Sequence, residues 1–584
     1  KVIFAQNNTV NIASTIDGAS SGEGTIQVTG ATKTFTSIIG GVQPLTLINI
    51  DNTSIFNEAI SATNINVADS ITATAKKAIT ATAIVLDGGT LVLSDNNSVT
   101  IAGTINGSNT TEGTLQITGA TKTFSGAIGT TEALTLIDVD NAAIFDGSIE
   151  ATTLSVAASN YALELNGAAN VITNTVTFNN TGALTLGDAN TDSSTFTGGI
   201  TATAPSGVTL AGTIETDGNA ISIGDGNTAI TLAADTIIDG DANNDQVTDG
   251  AITLGGTVDG GSTLTLNSTN TTTISAAIGS GTTITSLTTD SGGTTVISAD
   301  ITSTGNQTYN DNVSLTTDIT LTGGAQLTFA GTVNSSATDE TTDADALSTS
   351  FTETAFEGEV GGTYGLGAII ITGDLDLDAD ITSATSLSVS ADTNLAADVT
   401  TSGTQTYTGA VTTDGSRTLQ GSTVNFASTV TGTTAASDDL TITGALDLDG
   451  AITDINDLYV SGTSNLGANI TTTGTQEYNN NVTLSGAART LTTSGDTVTF
   501  TGTVNGGQDL TVDTNGTDNG SSLATVLFSS TVGDTTPVGA VLITGNLNLD
   551  ANIIQSDNTA GATSLEVTGT SNLAANVTTT GSQT

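Results

Sequence analysis

Tyr407-Thr-Gly-Ala-Val411, Phe124-Ser-Gly-Ala-Ile128 and Phe500-Thr-Gly-Thr-Val504 are copies of one frame, an aromatic followed four places later by Ile or Val. The frame recurs at Phe35, Phe56, Phe124, Phe145, Phe196, Tyr309, Phe329, Phe356, Tyr407, Phe426, Tyr478, Phe500 and Phe528. In an extended chain, positions i and i+4 point to the same face. Each copy is therefore expected to offer one ring and one β-branched side chain to a common interior.

Neighbouring copies lie 21 residues apart from Phe35 to Phe56, 20 from Tyr309 to Phe329 and 19 from Tyr407 to Phe426. A unit of about 20 residues cannot bury its own apolar face and must stack on its neighbours. Three short strands and three turns fit that length at roughly 3.3 Å per strand residue. The expected fold is all-β, a right-handed parallel β-helix (β-solenoid) with about 20 residues per coil. At about 4.8 Å per coil, the chain would form about 29 coils and a rod of about 140 Å.

Longer repeats overlie the short rhythm. KVIFAQNNTVNIASTIDG (1–18) matches TLVLSDNNSVTIAGTING (90–107), an offset of 89 residues. Residues 1–89 and 90–178 read as two copies, and 179–302 as degenerate Gly-rich coils. A second family follows: 303–402 with an inserted acidic loop at Ser335–Ser350, a shortened copy at 403–473, and 474–584. Its marker, Gly403-Thr-Gln405-Thr-Tyr407, returns around Gln307, Gln476 and Gln583 at spacings of 98, 71 and 107 residues. A tandem β-sandwich could not lose 36 residues of 107 and keep a closed core. A solenoid can drop a whole coil and restack, and 403–473 lacks a counterpart of Phe356-Glu-Gly-Glu-Val360. The chain opens inside a repeat and stops one residue before the next expected Tyr, so it reads as an excerpt whose export signal and anchor lie outside it.

Composition narrows the function. Seven Lys and Arg face 58 Asp and Glu, a net charge of −51. That balance excludes a basic nucleic-acid groove. No apolar run reaches the roughly 20 residues that span a bilayer, so no membrane insertion is expected in this segment. With no His and no Cys, the commonest general base and the thiol nucleophile are missing. The expectation is that the chain is not an enzyme and has no catalytic residue. Arg417 and Arg489 occupy equivalent positions (SRTL, ARTL), as do Lys33 and Lys122 (TGATKTF). The arginines are expected to be solvated or paired with carboxylates.

GTQTYTGAVTT (403–413), VTFTGTVNGGQDLTV (498–512), GDLDLDADI (373–381) and GALDLDGAI (444–452) resemble the repeats of filamentous haemagglutinin-type adhesins and autotransporter passengers. The resemblance implies a long secreted β-helix on the bacterial cell surface. The expected function is an extracellular structural rod of a surface adhesin or fibre. The alternatives are a self-associating sheath or surface-layer subunit, or an adhesive module for a glycan or host receptor. End-to-end or lateral self-association is expected, since open strand edges pair readily.

Two acidic patterns are candidate cation sites. Asp374, Asp376, Asp378 and Asp380 alternate with Leu375, Leu377 and Ala379, which puts carboxylates on one face of a strand. The stronger candidate is Asp239-Gly-Asp241-Ala-Asn243-Asn-Asp245, followed by Asp249. Oxygen ligands at alternate positions suit calcium, which takes 6–8 oxygens at about 2.3–2.6 Å. Asp239, Asp241, Asn243 and Asp245 are the expected ligands, although the Gly at the sixth position and the Glu at the twelfth of a calcium loop are missing.

Overall fold

The computed structural model describes residues 1–241, 249–336, 344–516 and 523–584. Among them there is no helix; the strands form a parallel β-solenoid of about 26 turns with about 21 residues per turn. The chain divides into two compact units, Lys1–Thr304 and Gly305–Thr584.

Short alternating stretches make the strands. Thr114–Ile117 and Thr294–Ile297 bury their second and fourth residues and leave Thr, Gln or Val outward, the alternation of a pleated strand with one face in the core. Each inward residue stacks on its partner one coil away. Phe35 pairs with Phe56 and Phe124 with Phe145, both with ring centroids 5.0 Å apart. In the second unit Phe329 lies between Tyr309 and Phe356, at 5.2 and 5.3 Å. All thirteen rings of the repeated frame are buried, with their Ile or Val partners.

The frame itself is a corner, not one straight strand. Phe124 ends the strand Lys122–Phe124, while Ile128 bridges to Ile105 and Ile149 on the next face. Ring and aliphatic partner enter the core from adjacent sides. The small residues between them let coils approach closely: a Cβ on Gly147 would lie 2.4 Å from the Gly126 carbonyl oxygen, and one on Gly358 2.2 Å from that of Gly331.

The long repeat is not a whole number of coils. In the first unit Val28, Ile50, Val67 and Leu86 form one ladder. Phe35, Phe56, Ala75, Leu93, Ile117 and Val139 form a second. Ile117 is the copy of Val28, so it has moved to the face of Phe35. Ile128, the copy of Ile39, has likewise joined Ile105 and Ile84 on the face of Val28. Every inward position advances one of three faces per repeat.

The second family behaves the same way. Tyr309 stacks in the ladder Phe329, Phe356, Leu377, Leu395, Thr413. Tyr407 belongs to the ladder of Val389, Phe426, Leu448, Leu466 and Leu484. Tyr478 belongs to that of Val460, Phe500 and Phe528. The three copies occupy three different faces. From Tyr407 to Tyr478 the ladder has one coil fewer than from Tyr309 to Tyr407, so the shortened copy has dropped a whole coil.

The acidic insertion is narrower than Ser335–Ser350. Ser335 closes the strand Val333–Ser335, and Ser350 lies within the strand Leu347–Phe356. Apolar alternation resumes at Leu347, which returns the chain to the sheet. Ser335 Oγ and Asp345 Oδ2 bond at 2.7 Å and fasten the two ends; residues 337–343 lie outside the described residues.

Candidate functional site

The repeated Gly-x-Gln-x-Tyr motif builds a polar cluster inside the solenoid. The Tyr407 hydroxyl donates to Gln405 Oε1 at 3.1 Å, and Gln405 Nε2 donates to the Gln420 carbonyl at 2.7 Å and the Val399 carbonyl at 3.2 Å. Tyr309 with Gln307 and Tyr478 with Gln476 repeat the bond at 2.9 and 3.1 Å. Both side chains are fully buried in these three copies. Burial pushes all three phenols far above their ordinary pKa, so they act as neutral donors. Sequence reading used this motif only as a spacing marker. Its signal was a polar Gln two places before a core Tyr, on the same strand face.

Gln405→Leu removes the acceptor of a buried hydroxyl and the donor to a buried carbonyl. A stability loss of about 2 kcal/mol is expected, measured by urea unfolding of the full chain. Adding Tyr407→Phe should recover part of it, because the orphaned hydroxyl is then gone; no loss in Gln405→Leu would contradict the cluster's role.

The cations also serve the backbone. Lys122 is buried and its ammonium donates to the carbonyls of Asp95 at 2.9 Å, Asn97 at 3.4 Å and Ala120. Burial lowers its pKa, partly offset by the Asp95 carboxylate. Lys33 repeats the arrangement with Gln6, Asn8 and Ala31. Among the described residues neither arginine pairs with a carboxylate; Arg417 stays half-exposed, as the solvated alternative expected, and Arg489 does not. Arg489 is buried and donates to the Ser485 carbonyl at 2.6 and 2.9 Å, and Arg417 donates to the carbonyls of Leu395, Ser416 and Asp414. Among the described residues one ion pair forms, Lys77 to Asp95 at 3.9 Å.

The carboxylates divide between turns and outward ladders. Asp374 and Asp380 accept the backbone N–H of Asp392 and Asp398 from the next coil, at 3.0 and 2.9 Å. Asp376 accepts from the Asn394 amide at 2.8 Å, and Asp447 from Asn465 at 2.7 Å. Leu375 and Leu377 are buried between them, as the alternation required. These oxygens tie coil to coil.

At the calcium candidate, Asp239 ends the strand Ala229–Asp239 and Asp241 is buried beside it. Asp239 Oδ1 accepts the Asp241 N–H at 3.0 Å and Oδ2 accepts from Asn267 at 3.1 Å. Asn243 and Asp245 lie outside the described residues. Asp249 accepts the Thr269 N–H at 2.9 Å. Among the described residues no group of three or more acidic side chains is placed to hold a metal.

Nearby, Asp290 has a raised pKa, through burial first and then the Asp249 and Asp239 charges, against the Ser268 N–H that it accepts at 2.7 Å. The folded chain thus holds this proton more tightly than the unfolded chain. The resulting stabilisation is complete below the unfolded value of about 3.9 and is lost as pH rises through the raised one. Asp290→Asn should therefore stabilise the chain at neutral pH, with the gain vanishing near pH 4 in thermal melts; a gain independent of pH would contradict the assignment.

Comparison of the chain with protein-family models, with curated proteins and with solved structures gives no match.

Proposed function

We propose that the chain is a non-enzymatic structural stalk of a bacterial cell surface, with repeat number setting reach and stacked coils setting stiffness. The observation that carries this reading is the recurrent use of side chains for coil-to-coil attachment among the described residues: aromatic ladders, Gln–Tyr clusters, caged lysines and Asp turns all join neighbouring coils. The absence of His and Cys supports a structural role over catalysis. Lateral self-association fits the same reading, with calcium relieving the charge of −51 when surfaces approach, and calcium at Asp239, Asp241, Asn243 and Asp245 stiffening that region.

Immunogold cryo-electron tomography of native cells, with antibodies to this chain, tests the proposal. Gold on thin extracellular fibres is the expected result. A tiled layer would instead assign a lattice subunit, and gold confined to the cytoplasm would overturn the stalk.

A further inference from the structure

We draw no further inference here: the strongest candidate, the acidic side-chain cluster of Asp87, Glu112 and Glu132 gathered at the loop 108–112 of the first unit by Ser108, Asn109 and Thr110, carries nothing, because the hydrogen bonds that gather it lie within the cluster and nothing else in the structure points to a ligand there.

Discussion

Phe329→Ala is expected to destabilise the second unit by about 3–5 kcal/mol. Phe329 is fully buried and stacked on both sides, against Tyr309 with ring planes 15° apart and Phe356 with planes 7° apart. Truncation removes the ring's transfer free energy and leaves a cavity with two partner faces exposed to it. The fixed backbone ladder Gln307–Tyr309, Leu327–Phe329, Thr354–Phe356 restricts collapse of that cavity. Phe329→Leu should cost markedly less, since Leu already serves in this ladder at Leu377 and Leu395. Urea unfolding of the full chain, followed at the second unit by hydrogen exchange, measures both. Equal, small losses would mean that the stacks are not what holds the coils together.

The second large effect comes from coil phase. Excising Asp378–Leu395 removes one coil, from Leu377 to its ladder partner Leu395. The flanking sequence then runs Leu377-Ala396-Ala397-Asp398-Val399 in place of Leu377-Asp-Ala-Asp-Ile381. Leu377 would meet Thr413, and Ile371 would meet Tyr407, so every inward residue keeps an inward partner. Solenoid stability is close to a sum over repeats and their interfaces, so the unfolding midpoint should change little. Excising only Ser383–Ser388 removes part of one coil instead, Leu387 included, and the shortened coil cannot close. The second unit should then unfold in two separate transitions, one on each side of the break. Equal tolerance of both excisions would contradict three-sided coils.

Much of the architecture was legible because a solenoid writes its geometry into spacing. Inward residues recur once per coil, so the distances between Phe35 and Phe56, or Tyr407 and Phe426, are themselves coil lengths. The buried rings followed from that frame. Phase was not legible in the same way. The offset of 89 residues says how far apart Val28 and Ile117 lie, not which face each occupies; that depends on the sum of individual coil lengths, and these vary. The environment of Arg489 was not legible for a different reason. In so acidic a chain, Arg489 has abundant carboxylates to choose from, yet a closely wound corner leaves carbonyls that need donors, and the buried guanidinium serves those. The Asp runs were read as a charged face, but one oxygen of many of these turn residues is committed to the next coil's N–H.

The rotation of repeats by one face governs how the solenoid presents its surface: equivalent positions of the second repeat family point in three directions in turn. Disulfide trapping tests it directly in a chain with no native Cys. Thr74 and Val92 are register partners on adjacent strands, and parallel neighbours about 4.8 Å apart are within disulfide reach. Whole-coil repeats would instead place Val92 next to Asn66, because its counterpart Ile3 belongs to the ladder Gln27, Asn49, Asn66. The account predicts that Thr74→Cys/Val92→Cys oxidises to a crosslinked chain while Asn66→Cys/Val92→Cys stays reduced; the reverse pattern would contradict it.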